Sequence, residues 1–199
     1  SIQIAKQVER VDQIIVSTDS EAIAQVAKEY GAEVPFMRPK ELAQDNSSEW
    51  DVWKHALDYL KENNFSRVDA FVSLPTTAPL RSVEDIENCL DEYEKDGVDV
   101  VITVTEAHRS PYFNMITNDD NGYSSLVISG EKITRRQDAP KIFNMTTVAY
   151  VSNLEYVNNS RGLFDGRVRS VEVPIERAID IDTELDFKFA EYILRENIT

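Results

Sequence analysis

Apolar residues along this chain follow two rhythms that alternate. Short runs rich in Val and Ile recur at residues 11–17 (VDQIIVS), 68–74 (VDAFVSL), 98–105 (VDVVITVT), 147–151 (TVAYV) and 168–173 (VRSVEV). Several lack polar alternation, the pattern of strands buried on both faces. Between the runs, apolar positions return every three or four residues, as on one face of a helix. Thr18 and Glu21 have capping-box spacing ahead of Ile23, Val26, Ala27 and Tyr30, and Gly31 stands at the stop position. A second helix, about residues 49–63, places Trp50, Trp53, Leu57 and Leu60 on one stripe. A third opens at Ser82, with Asp85 three residues on, and turns Ile86, Cys89, Leu90 and Tyr93 inward. The last starts at Thr183, has Asp186 in the box position and directs Leu185, Phe189, Tyr192 and Ile193 at the core. Strands alternating with helices predict an α/β fold around a doubly wound, mainly parallel sheet, with ligands outside the carboxyl ends of the strands. Over residues 108–133 the alternation stops, and turn residues flank short strand-like pieces. That stretch predicts a small antiparallel excursion.

Near the end of the chain, Asp180 and Asp182 stand one residue apart among isoleucines. In extended backbone they share a face, roughly 6–7 Å apart, while Ile179 and Ile181 point the other way into a core. Two like charges so placed raise each other's pKa unless a cation lies between them. A bound divalent metal is one answer. Exposed carboxylates favoured by the helix that follows are the other. Magnesium takes one or two carboxylates and keeps several waters, which suits two aspartates without a histidine.

Composition narrows the field. With 199 residues, one sizeable core is expected, hence a single domain over 1–199 with its excursion inside it. The net charge of −15, from 36 acidic and 21 basic residues, argues against a broad grip on nucleic acid. Two histidines and one cysteine, Cys89, leave no disulfide framework or zinc cage, and Cys89 reads as a small core residue. No apolar run approaches a membrane span and the opening residues lack a signal pattern, so a cytoplasmic location is expected.

Several loops after strands carry chemistry, each with a plainer alternative. The STDS stretch at 17–20 supplies N-cap residue types. Arg38, Asn46, Ser47 and Ser48 lie in RPKELAQDNSS, which can read a base edge or simply be a solvated loop. PTTAPLRS holds Thr76 and Thr77 between two prolines, either near a ligand or as a stiff strand-to-helix turn. KITRRQDAPK gathers Lys132, Arg135, Arg136 and Lys141, as an anionic substrate requires or as a solvated basic loop displays.

Taken together, the blocks IIVSTDSEAIAQVAKEYGAEVPFMRPKELAQDNSS, PTTAPLRSVEDI, RRQDAP and SVEVPIERAIDIDTELDFKFAEYIL resemble the acylneuraminate cytidylyltransferases, the CMP-sialic acid synthetase family, over essentially the whole chain. The resemblance implies a Rossmann-like nucleotidyltransferase that couples CTP to a nine-carbon 2-keto sugar acid, giving a CMP-sugar and pyrophosphate. It implies Asp180 and Asp182 as catalytic, Mg2+-binding residues and Arg38 with Asn46, Ser47 and Ser48 as the cytosine-binding segment. Arg136, also catalytic, and Gln137 resemble the sugar-side basic motif, and Thr77 and Thr146 fall at substrate-binding positions. The 108–133 excursion is similar to the family's dimerisation arm, which implies a homodimer.

The chain also departs from the family. The strand and Gly-rich basic loop that hold the CTP phosphates have no counterpart in it, so roughly 30–40 further residues before Ser1 are expected, carrying a Val/Ile strand and then Gly with Arg or Lys. Leu74 replaces the family's glutamine, and Asn144, Met145, Thr146 and Thr147 replace its Arg-Pro-Asn-Gly. The sugar expected is therefore a legionaminic-like, pseudaminic-like or other nonulosonic acid. Two alternatives stand beside this: a catalytically impaired binding homologue without the phosphate loop, and a Kdo-type synthetase, whose aspartate motif is absent from LPTTAPL.

Overall fold

Four of the five Val- and Ile-rich runs become a central sheet in which one strand runs against the others. The computed structural model describes residues 1–63, 68–129, 133 and 135–196. In chain order these form α1 (Ile2–Ala5), α2 (Glu21–Glu29), α3 (Glu49–Glu62), β1 (Phe71–Ser73), α4 (Val83–Tyr93), β2 (Val100–Glu106), β3 (Ile116–Asn118), β4 (Ser124–Leu126), β5 (Phe143–Ser152), α5 (Leu154–Asn159), β6 (Val168–Glu172) and α6 (Glu184–Glu196). The sheet order is β1-β5-β2-β6. β2 and β6 pair in parallel, while β5 is antiparallel to both β1 and β2. β5 is reversed: the chain leaves β2 at Glu106 and re-enters the sheet directly opposite, at Phe143, so the two strands run antiparallel.

The expected first strand, residues 11–17, forms a single parallel bridge, Ile15 to Glu33, instead of a ladder. Val16 N–H donates to the Glu33 carbonyl at 2.9 Å and Glu33 N–H to that of Ile14 at 2.8 Å.

Helices cover both faces of the sheet. Along β2, Val100, Ile102 and Val104 pack with Trp50, Trp53, Leu57 and Leu60 of α3, whereas Val101 packs with Ile86, Cys89 and Leu90 of α4. The period-2 alternation thus distributes one strand between two cores. The Ser82–Asp85 capping box forms in both directions. Cys89 is fully buried, and that burial pushes its thiol up to about 12. Helix α2 ends in the Schellman pattern, with Gly31 at φ 87 and the N–H groups of Gly31 and Ala32 donating to the Lys28 and Ala27 carbonyls.

Two helical expectations need correction. The cap of α2 is Ser20, whose hydroxyl accepts from Ile23 N–H at 3.4 Å, and Thr18 instead accepts from Ser20 N–H at 3.1 Å. Furthermore, Ile23, Val26 and Tyr30 are exposed and the buried residues are Ala24 and Ala27. In α6, Leu185, Phe189 and Tyr192 are likewise exposed, and Ala190 and Ile193 face inward with Leu80. Both helices approach on their alanines, which permit close contact along a narrow stripe and turn the bulkier neighbours outward.

The 108–133 excursion contains the β3–β4 hairpin, with Ile116 opposite Leu126. Asp119 closes its turn by accepting from the N–H groups of Asn121 and Tyr123, and Gly122 takes φ 85. Met115, Ile116, Tyr123, Leu126, Val127 and Ile128 lie exposed on it.

Between Ile102 and Thr103 the register against β5 jumps, from Tyr150 to Thr146. Residues 147–149 therefore bulge out of the ladder. The Arg81 guanidinium, 2% exposed, enters there. It donates to the carbonyls of Val148 (2.7 Å), Thr147 (3.3 Å) and Pro75 and to the Ser1 hydroxyl. Burial brings the Arg81 pKa down to about 10, which leaves it cationic at neutral pH.

Leu57 is 1% exposed and Leu185 75%. Leu57→Ala is expected to cost about 2–5 kcal/mol, and Leu185→Ala to stay within about 0.5 kcal/mol. Denaturant unfolding of the two variants checks this; similar losses would return the Leu185 stripe to the core.

Candidate functional site

The acidic segment 178–182 is neither helix nor strand and lies outside the sheet's ladders. Its alternation holds nonetheless. Ile179 and Ile181 pack against the Leu80, Ala190 and Ile193 cluster. Ile181 N–H donates to the Thr77 carbonyl at 2.9 Å, which joins the PTTAPLRS loop to the aspartates. Asp182 is exposed at the mouth of α6, where Asp186 accepts from the N–H groups of Asp182 (3.3 Å) and Thr183 (2.8 Å) and from the Thr183 hydroxyl (2.7 Å). These bonds, the Thr183 hydroxyl first, hold the Asp186 carboxyl below the usual range.

Asp180 Oδ1 is buried and has no hydrogen-bond partner among the described residues. A carboxylate oxygen can only accept, so a buried one without a donor calls for a cation or a bound donor. The chemistry of this oxygen fits a divalent metal. Among the described residues, no group of three or more His, Cys, Asp or Glu side chains is arranged to hold a metal.

The structure adds neighbours that sequence patterns did not indicate. Glu49, in the first turn of α3, lies within electrostatic reach of Asp180 and Arg38, with the Trp53 and Ser73 side chains beside it. Although Glu49 as a residue is open to solvent, crowding of its carboxylate raises its pKa, and the Asp180 charge adds to the rise. Burial pushes the Tyr150 hydroxyl up to about 12, with Glu49 and Asp180 contributing next. Glu49, Ser73, Tyr150 and Asp180 thus share one neighbourhood at the end of β1. In the sequence, Glu49 stands as one more acidic residue in a helix's first turn, and only the tertiary fold turns it toward Asp180.

The remaining expected residues divide between this neighbourhood and other duties. Arg38 Nε donates to the Ser17 hydroxyl at 3.1 Å and Nη2 to the Ser17 carbonyl at 2.6 Å, which anchors it on the STDS loop. Asn46 is exposed. The Ser47 hydroxyl accepts from Gln44 N–H and donates to the Glu41 carbonyl, while Ser48 caps α3 by accepting from Trp50 N–H. Thr146 is 6% exposed and its hydroxyl donates to Thr103 Oγ1 at 2.8 Å, so it is engaged inside the sheet. Gln137 is exposed in the short turn Arg136–Asp138; the Arg136 side chain and Lys132 lie outside the described residues. Two cations of the basic loop have acidic partners: Arg135 pairs with Asp138 at 2.7 Å, and Lys141 lies 3.5 Å from both Glu106 and Glu172. No helix among the described residues is long and apolar enough to cross a membrane.

Residues 1–191 match the family described as Cytidylyltransferase. The chain is 33% identical over 196 residues to post-translational flagellin modification protein B of Campylobacter coli, covering 98% of this chain and 83% of that protein. It is 34% identical over 182 residues to the CMP-N,N'-diacetyllegionaminic acid synthase of Campylobacter jejuni, covering 91% of this chain and 76% of that one. The solved structure of a CMP:2-keto-3-deoxy-manno-octonic acid synthetase complexed with CTP superposes with a TM-score of 0.68 at 15% identity, covering 98% of this chain and 86% of the other. The resemblance and the fold class read from the sequence are borne out by these similarities.

Glu49→Gln removes a crowded charge that faces Asp180. A raised carboxyl pKa destabilises the fold as pH climbs through it, since the folded state then has to release a proton it favours. The variant should therefore gain melting temperature over the parent at pH 8 and little at pH 4. An equal gain at both pH values, or a loss at pH 8, would contradict this placement of the charge.

Proposed function

Because the chain belongs to the cytidylyltransferase family, we propose that it transfers the cytidylyl group of CTP to a nine-carbon 2-keto sugar acid, a nonulosonic acid, giving a CMP-sugar and pyrophosphate. The match over residues 1–191 is the observation that supports this reading above all. The sugar we favour is of the legionaminic type, because a relative 34% identical carries that activity in its name.

In the transfer, the anomeric oxygen of the sugar forms a bond to the α-phosphorus of CTP as the bond to the β-phosphate bridging oxygen breaks in line. The proton of the anomeric hydroxyl passes to solvent, and pyrophosphate leaves. Such transfers depend on positioning and charge neutralisation rather than on covalent chemistry by the protein. Arg38, with Asn46, Ser47 and Ser48, would address the cytosine, and Arg136, Gln137 and Thr77 the sugar acid. Thr146, whose hydroxyl bonds to Thr103, would serve by keeping the β5 bulge in place. The cation is magnesium in our reading, held by Asp180 and Asp182, where it would offset phosphate charge. The buried, partnerless oxygen of Asp180 is the local support for that assignment. We place the reaction in the cytoplasm.

We read residues 1–199 as one domain and the 108–133 excursion as a dimerisation arm that makes the protein a homodimer. Its apolar side chains, Ile116, Tyr123 and Leu126 among them, are too many for an arm left in water.

Three measurements test these readings. Purified protein given CTP, Mg2+ and a legionaminic-type acid should release pyrophosphate and form a CMP-sugar detectable by mass spectrometry; no product with any nonulosonic acid would refute the assignment. Asp182→Asn should lower that turnover by about a hundredfold or more with melting temperature unchanged, since one ligand charge is lost at an exposed position. For the arm, light scattering should return twice the chain mass for the parent and the single mass for a Tyr123→Asp/Leu126→Asp variant. A monomeric parent at micromolar concentration would rule the arm out.

A further inference from the structure

The aspartate segment is held on both sides of Asp180. On the far side stands the 2.9 Å bond from Ile181 N–H to the Thr77 carbonyl. On the near side the chain turns through residues 174–178, closed by Arg177 N–H on the Pro174 carbonyl (3.0 Å) and Ala178 N–H on that of Ile175 (3.2 Å). From this turn the Arg177 guanidinium reaches the Asp85 carboxylate with two parallel bonds, Nε to Oδ2 at 2.9 Å and Nη2 to Oδ1 at 2.8 Å. Asp85 is 1% exposed and also accepts from Ser82 N–H at 2.8 Å, at the start of α4. Helix α4 follows directly on the loop that carries Thr77. The fork between Asp85 and Arg177 therefore ties the beginning of the aspartate segment to the same short stretch of chain that anchors its end.

We propose that the pair of buried Asp85 and half-buried Arg177 is a positioning device, which holds residues 178–182 against the Thr77 carbonyl and so sets where the Asp180 carboxylate points. Its consequence for metal rests on the assignment of Asp180 and Asp182 as ligands; its consequence for the backbone does not. A bidentate guanidinium–carboxylate pair fixes distance and angle together, unlike a single ammonium contact. A buried ion pair is a poor source of net stability, because replacing both partners by neutral groups is often close to neutral while removing one strands the other. Stability and position can thus be separated experimentally.

The test compares the parent, Arg177→Met and the double variant Asp85→Asn/Arg177→Met, in which Asn still accepts from Ser82. Three quantities are read: melting temperature, amide exchange of Ile181 by NMR, and binding of Mn2+ by its electron paramagnetic resonance signal. The single variant should melt lower. The double variant should recover much of that loss, yet exchange Ile181 about tenfold faster than the parent and bind Mn2+ about tenfold more weakly. Parent-like Ile181 exchange in the double variant overturns the proposal. So does a double variant that fails to regain stability or to fold, because the pair's contribution would then be to the fold itself. Mn2+ binding in the parent no tighter than in Asp180→Asn/Asp182→Asn defeats the metal assignment instead, and Ile181 exchange still judges the pair.

Discussion

Arg81 is a positive charge enclosed at the point where the sheet loses its register. The slip of β5 against Thr103 takes the carbonyls of Thr147 and Val148 out of the ladder, and Arg81 accounts for both. An unsatisfied buried carbonyl costs about 1–3 kcal/mol, so the bulge and the cation need one another. The same guanidinium also holds the Pro75 carbonyl, so that the loop carrying Thr77 is attached to the irregular part of β5. From inside the sheet Thr103 completes the arrangement, with its hydroxyl in reach of the Thr146 and Ala149 carbonyls and of Ala149 N–H. What β5 loses in regularity it regains as a fixed platform beneath the candidate site.

Much of this could be read from the residues, and the parts that could not share a cause. The Trp50, Trp53, Leu57 and Leu60 stripe and the Ser82–Asp85 box depend on spacing within one helix, which a sequence displays directly. The facing of Ile179 and Ile181 away from Asp180 depends only on the period of extended chain. The direction of β5 was not legible, because strand direction follows from the path of the connection rather than from the strand's composition. Nor was the exposure of Leu185, Phe189 and Tyr192, since an apolar stripe shows that a face seeks cover without saying which part of it a neighbour reaches. At the site, the aspartates stood out through their unusual pairing. Glu49 and Arg177 did not, because their significance lies in Asp180 and Asp85, far away along the chain.

Electrostatics gives the site its character. The chain carries a net charge of −15, and around Asp180 further negative charge from Glu49 accumulates while Arg38 is partly engaged by Ser17. Such a place repels anions until a cation enters. For a protein whose proposed substrates are a triphosphate and a carboxylated sugar, charge neutralisation thus becomes a condition of binding as well as of catalysis.

The alternation through residues 179–182 has a consequence for how this sequence can change. Inserting or deleting one residue between Arg177 and Thr183 would exchange the two faces, directing carboxylates at Leu80, Ala190 and Ile193 and isoleucines at the site. A single substitution there leaves the facing of its neighbours intact, whereas a change in the length of the segment reverses it. The turn over 119–123, which closes a hairpin outside the core of the chain, is free of that parity and can absorb extra residues without disturbing that core. Variation in length belongs at the hairpin tip, and the spacing of the aspartates behaves as a counted quantity.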